Sequence, residues 1–245
     1  MDPVRQWFAK ALDARGIRLS DRMAEQFETY YRLLLEWNEK MNLTGITDRE
    51  AVYEKHFYDS LTAAEAVPMD GVETLADIGS GAGFPALPLK IVYPHLRVTI
   101  VDALAKRIRF LEQVSAALGL DGVTCLHGRA EDIGRRPDCR DWFDAVAARA
   151  VARLAALNEL CLPFVRPGGQ FIAMKGSNVE EELEESRFSA RQLQAELSGV
   201  IRLELPREGA ARHLIVYRKT APTPKAYPRK AGVPMKSPLL PSAKR

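Results

Sequence analysis

No stretch of the 245 residues offers about 18 consecutive apolar side chains, the length a membrane-spanning helix needs. The first twenty residues interleave Asp2, Arg5, Lys10, Asp13 and Arg15 with apolar ones, so no secretory leader is expected and the protein should be cytoplasmic. Cysteine is scarce. Cys125, Cys139 and Cys161 are odd in number and spaced 14 and 22 apart, which suits neither a disulfide framework nor a CxxC metal clip. Buried thiols and no metal site are the expectation. Acids, finally, are missing from the last 28 residues, which carry eight Lys or Arg. Removing those from the 35 basic residues leaves 27 against 32 acids, so residues 1–217 carry −5 and the end of the chain +8.

What is present, 47% hydrophobic and 27% charged residues, describes a soluble globular protein of one domain with an appendage. The appendage, 221–245, is basic and holds six of the 15 prolines, a pattern that disfavours helix and sheet. Either it is a solvated terminus or it is a phosphate-contacting arm that orders against the body or on RNA. The opening quarter, 1–64, reads as helical. A first helix is expected at 3–15, a second at 20–39 behind a Ser20 cap, and a third from a Thr47/Glu50 capping box to Ser60. From Glu73 short apolar runs alternate with helical patterns, the mark of an α/β fold with a parallel sheet over 65–220. Strands are expected at 73–78, 97–101, 122–126, 143–147, 170–174, 200–205 and 213–218, with helices at 104–118 and 179–198.

The first of those strands runs into "DIGSGAGFP", Asp77 to Pro85. A glycine turn after a first strand lets backbone approach a ligand and presents helix N-terminal NH groups to it. Gly79, Gly81 and Gly83 give G-x-G-x-G, but Phe84 stands where a dinucleotide fingerprint wants Gly or Ala. Without a G-K-[ST] ending, a nucleoside triphosphate is disfavoured too. The remaining ligand has an adenosine and no pyrophosphate. Asp102, 23 residues past Gly79 at a strand's end, suits ribose hydroxyls or an ordinary helix cap. Ala130 and Glu131 stand where a loop could flank an adenine. The three sites together describe S-adenosylmethionine.

Eight segments then carry a family resemblance: "WNEKMNLTGI" (37–46), "HFYDSL" (56–61), "DIGSGAGFP" (77–85), "VDALAKRIRFL" (101–111), "GRAE" (128–131), "ARAVARL" (148–154), "MKG" (174–176) and "YPRKAGVPMKSPL" (227–239). In order and over almost the whole chain they resemble the bacterial 16S rRNA guanine-N7 methyltransferase family, RsmG, also called glucose-inhibited division protein B. The resemblance implies the Rossmann-like methyltransferase fold, a seven-stranded mostly parallel sheet with helices on both faces, preceded by N-terminal helices. It also implies S-adenosylmethionine contacts at Gly79, Phe84, Asp102, Ala103, Leu104, Ala130, Glu131 and Arg149, with S-adenosylhomocysteine as product. The implied partner is 16S rRNA, free, in the small subunit or in an assembly intermediate, bound by a monomer. Two positions depart from the family: Ala86 stands where it usually has glycine, and Ala103 where it often has a small polar residue.

The residues constrain the acceptor independently. No [DN]-P-P-[FYW] motif for exocyclic amines follows the fourth strand, where the chain reads "AARAV", and Cys161 lies in an apolar helical pattern unsuited to a nucleophile for pyrimidine C5. Guanine N7 needs neither, because its lone pair is available and no proton must leave. Arg149 and Lys175 follow the fourth and fifth strands, at the carboxyl edge of the sheet. Arg149 suits the methionine carboxylate or guanine O6. Lys175 and Arg129 suit RNA or guanine contacts, though a strand-end lysine also snorkels. His56, beside Asp59 and Ser60, is either structural or a substrate-side residue. A small-molecule methyltransferase and a non-enzymatic ribosome-assembly factor stay open as alternatives.

Overall fold

The computed structural model describes residues 2–177 and 179–241. The opening segment is helical because apolar side chains recur there at three- and four-residue spacing. It comprises α1 (Pro3–Asp13), α2 (Asp21–Met41), α3 (Arg49–Val52), a π-helical turn over Tyr53–Tyr58, α4 (Asp59–Leu61) and α5 (Ala63–Ala66). Ser20 caps α2, its Oγ accepting from the Met23 amide at 3.2 Å, and Asn42 ends it in the left-handed region at φ 46°. The expected capping box at Thr47 is corrected by one residue: Asp48 caps α3, accepting from the Ala51 amide at 2.9 Å. A carboxylate at that position outcompetes the preceding hydroxyl for the free NH groups.

Seven strands follow: β1 (Thr74–Ile78), β2 (Arg97–Asp102), β3 (Val123–His127), β4 (Phe143–Arg149), β5 (Val165–Lys175), β6 (Ala195–Glu204) and β7 (Ala211–Lys219). Their connections carry α6 (Ala86–Val92), α7 (Ala105–Ala117), α8 (Ala130–Ile133), α9 (Leu154–Cys161) and α10 (Glu180–Gln192). The sheet order is β3-β2-β1-β4-β5-β7-β6, and only β7 runs against its neighbours. Each face is sealed by its own apolar layer. Phe8, Phe27, Leu34 and Phe57 of the N-terminal helices share one layer with Leu87 and Leu111, while Leu157, Phe164, Phe171 and Leu193 fill the other. The N-terminal helices therefore belong to the core of the sheet rather than to a separate one.

Two boundaries differ from expectation. The helix expected to reach residue 198 stops at Gln192, where Gln194 turns in the left-handed region at φ 58°, and β6 starts at Ala195 rather than 200. A register shift between Leu197 and Gly199 breaks the two-residue alternation that marks a strand. Strand β5 likewise begins at Val165 because the turn-like "RPGG" stays inside it. Cys139 and Cys161 are buried, but Cys125 is only half-buried, and all three are free thiols.

The basic segment after β7 lies against the body and contains α11 (Val233–Lys236). Its last four residues, Lys244 and Arg245 included, lie outside the described residues. The buried Lys219 ammonium donates to Asp141 Oδ1 at 2.8 Å, Thr223 Oγ1 at 2.6 Å and the Leu162 carbonyl at 2.7 Å. Arg140 donates to the Tyr227 and Thr223 carbonyls, each at 2.8 Å. The carbonyls of a proline-rich chain, with few NH groups of its own, thus find partners in side chains of the body. Among the described residues no helix is long and apolar enough to cross a membrane, and no group of three His, Cys, Asp or Glu could hold a metal ion.

Candidate active site

Two cavities lie at the carboxyl edge of the sheet. They share the loop after β4 as a common wall, Val151 lining the first and Arg149 and Ala150 the second. Ala150 holds φ 56°, a strained value for a residue with a Cβ.

The first cavity, about 240 Å³, is built from the ends of three consecutive strands: Gly79 after β1, Asp102 and Ala103 at β2, and Arg129, Ala130 and Glu131 after β3. Gly79 adopts φ 73°, and a Cβ there would come within 2.8 Å of Val151 Cγ2, so only glycine lets the turn meet the β4 loop. Asp102 is buried, and it organises the turn. Its Oδ2 accepts from the Gly81 amide at 3.0 Å and from Arg107 at 3.4 Å, and its Oδ1 from the Leu104 amide at 2.9 Å. An ionised carboxylate has about four lone-pair sites, so capacity remains for a further donor. Behind the turn, Asp77 is fully buried, with Oδ2 accepting from Ser80 Oγ at 2.6 Å and the Ala86 amide at 3.1 Å. Its Oδ1 has no partner among the described residues. Burial pushes this carboxyl up to about 6.

The second cavity, about 400 Å³, takes Lys55, His56 and Asp59 from the helical segment, Arg149 from the end of β4 and Ala150 from the loop after it, Lys175 from β5 and Arg212 from β7. Asp59 is its centre. Oδ2 pairs with Arg149 at 3.0 Å and Oδ1 with Arg212 at 3.2 Å, so one buried carboxylate joins three separate segments. Arg149 also donates to the Lys55 carbonyl at 2.8 Å and approaches His56 Nδ1 at 3.3 Å. The Phe84 ring lies beneath both, stacked on the His56 imidazole at 4.6 Å and 5.0 Å from the Arg149 guanidinium. His56 sits in the π-helical turn, and its Nε2 meets Thr44 Oγ1 at 2.8 Å. Burial first, then the Arg149 charge, pushes the imidazole down to about 3, which keeps it neutral at physiological pH.

The expected site residues therefore divide. Gly79, Asp102, Ala103, Arg129, Ala130 and Glu131 meet in the first cavity; His56, Arg149 and Lys175 meet in the second. Phe84 lines neither, and Leu104 is exposed beyond the first. Lys175 is engaged, donating to the Ala152 carbonyl at 2.6 Å and pairing with Glu182 at 2.8 Å, so it braces the shared wall.

A family model described as rRNA small subunit methyltransferase G, GidB, matches residues 23–215. The chain belongs to that family. The Ribosomal RNA small subunit methyltransferase G of Staphylococcus carnosus is 55% identical over 236 residues, covering 96% of this chain and 98% of that protein. Its Bacillus subtilis counterpart is 53% identical over 232 residues, covering 95% and 97%. Among solved structures, P. horikoshii TYW2 in complex with MeSAdo aligns with a TM-score of 0.52 at 15% identity, covering 66% of this chain and 62% of that one. M. jannaschii TYW2 in complex with AdoMet gives 0.51 at 13% identity, covering 66% and 76%. At such identities the likeness concerns the fold alone.

Within this member of the methyltransferase G family, sequence reasoning missed Asp59, Arg212 and Lys55 as residues lining the second cavity, and Asp77 as the buried support of the glycine turn. "HFYDSL" and "DIGSGAGFP" did contain two of the four. Nothing local distinguishes Arg212, which reaches the carboxyl edge only because β7 runs antiparallel.

Proposed function

We propose that this protein transfers the methyl group of S-adenosylmethionine to N7 of one guanosine in 16S rRNA near the decoding region, acting as a cytoplasmic monomer. The observation that carries the reading is the pair of cavities meeting at Arg149 to Val151, one with a carboxylate suited to ribose and apolar walls, the other lined by cations. Family membership supplies the acceptor class. The same reading divides the chain into an N-terminal helical segment 1–64, a cofactor-binding core 65–220 and a basic tail 221–245.

The first cavity suits the cofactor on chemical grounds. Asp102 keeps capacity for one further donor such as a ribose hydroxyl, and Ala103, Ala130 and Val151 offer apolar walls. When bound, S-adenosylmethionine supplies an electrophilic methyl on a positively charged sulfur and leaves as S-adenosylhomocysteine. Gly79, Asp102, Ala103, Ala130 and Glu131 are assigned to holding it.

The protein's own task is alignment. Guanine N7 carries its lone pair in the neutral base, so no general base is required, and His56, held neutral, orients Arg149 rather than moving a proton. The place of Arg149 in the second cavity favours guanine O6 over the methionine carboxylate. Lys55, paired with Glu208, and Arg212, paired with Asp59, stand beside it with donors left over for RNA phosphate, and Arg129 stands at the exposed rim of the first cavity. The decisive experiment incubates the full chain with isotope-labelled S-adenosylmethionine and undermethylated small subunits, then identifies the labelled nucleoside by mass spectrometry. Labelled N7-methylguanosine is the expected product. Label in another nucleoside, or none, would refute the reading.

A further inference from the structure

The segment after β7 sends one side chain into the first cavity. Met235, on α11, lines it together with Gly79, Asp102 and Glu131, although each of those three lies more than a hundred residues away in sequence. We propose that this segment is a working wall of the cofactor cavity, with Met235 covering the adenosine and Glu131 latching the segment in place. The proposal rests on the reading that the first cavity takes S-adenosylmethionine.

Three observations carry it. First, Glu131 is buried, lines the cavity, and accepts from the Gly232 amide at 2.7 Å, so the residue at the cavity wall is also the one that positions the turn before Met235. Gly232 holds φ 82°, the left-handed value that opens α11 at this point. Second, the segment is anchored upstream by groups that do not line the cavity. The Arg229 guanidinium grips the fully buried Glu159 at 2.6 to 3.0 Å, and its amide donates to the same carboxylate at 2.7 Å. Third, Pro234 supplies the packing of α11 and is buried, whereas Met235 is 50% exposed at the cavity. A clamp needed for stability alone has no use for a large apolar side chain in that place. An aromatic base does, because a thioether packs favourably against a ring. Leu104, the neighbour of the cavity-lining Ala103, is likewise 53% exposed.

Because Glu131 belongs to both the wall and the latch, cofactor binding and docking of the segment stabilise each other, and the linkage is reciprocal. The test is calorimetric titration of the full chain with S-adenosylhomocysteine. Met235→Ala should raise Kd about fivefold, the effect of uncovering roughly 40 Å² of apolar contact, while Met235→Leu stays within about twofold of the wild type. The thermal midpoint without ligand should not move, since the residue is half-exposed. In parallel, saturating S-adenosylhomocysteine should slow tryptic cleavage after Lys230 and Lys236 in the wild type. Equal affinity of Met235→Ala and wild type, or cleavage indifferent to the ligand, overturns the wall. Failure of the wild type itself to bind overturns the reading of the cavity beneath it.

Discussion

The neutral, buried imidazole of His56 makes the acceptor cavity sensitive to acid in a calculable way. With its ordinary value near 6.5 and its folded value pushed down to about 3, the unfolded chain binds a proton between those limits that the folded chain refuses. Stability from this group is therefore full above pH 6.5 and is lost as pH falls toward 3. From pH 7 to pH 5 the loss is about 2 kcal/mol. Asp77 opposes it. Its carboxyl is pushed up to about 6, so the folded state gains a proton on acidification that the unfolded state takes only near 3.8. Over the same interval that contributes about 1.3 kcal/mol in the other direction. Together they leave a net loss of about 0.7 kcal/mol in the wild type, from which neither contribution can be read alone. Comparison with His56→Gln, which retains hydrogen-bonding groups for Thr44 and Arg149, separates them. Urea unfolding of both proteins at pH 7 and pH 5 should show the wild type losing about 2 kcal/mol relative to the variant. A gap between the two proteins that stays constant within about 0.5 kcal/mol would refute a buried neutral imidazole.

Replacing Asp59 by Asn should leave Arg149 and Arg212 facing each other without a counter-ion. Because the two arginine side chains keep 15% and 21% of their surface exposed, the destabilisation should be about 2–3 kcal/mol, below the range for fully buried pairs, with a large fall in methylation of small subunits. Unfolding within about 0.5 kcal/mol of wild type would contradict the pairing. Gly81→Val should cost about 1–2 kcal/mol of stability through its φ of 62° and at least tenfold in S-adenosylhomocysteine affinity, although a Cβ there meets no protein atom within 4 Å. An unchanged dissociation constant would remove the turn from the cofactor's surroundings. If the exposed Lys225, Lys230 and Lys236 contact phosphates, their joint replacement by Gln should flatten the slope of log affinity for rRNA against log salt by about 2. A slope left as steep as before would assign the tail to the cofactor side alone.

What could be read from the sequence was what depends on near neighbours. The apolar runs of β1, β2 and β4 and the glycine turn ending in Phe84 announce themselves within a dozen residues, as does the cap at Ser20. The first half of β6 was hidden by its irregular register, and the start of β5 by a Pro-Gly-Gly sequence that usually ends strands. The acceptor cavity was the least legible part. It exists because Asp59, Arg149 and Arg212 converge from a helix and two strands, with Arg212 at the beginning of an antiparallel strand rather than the end of a parallel one. Met235 was invisible for the same reason, since only the folded path of the tail brings it to Glu131.

The cavity proposed for the acceptor sets Lys55, Arg149, Lys175 and Arg212 against Asp59, with Glu208 paired to Lys55 and Glu182 to Lys175. Four cations against three carboxylates leave one positive charge in excess, which on the proposed reading attracts the phosphates of unmodified RNA. On the same reading, methylation at N7 turns the guanine into a cation beside the Arg149 guanidinium that met it as a neutral base. The modified base should then be repelled by the guanidinium that helped to orient it, an arrangement that favours release of the methylated strand.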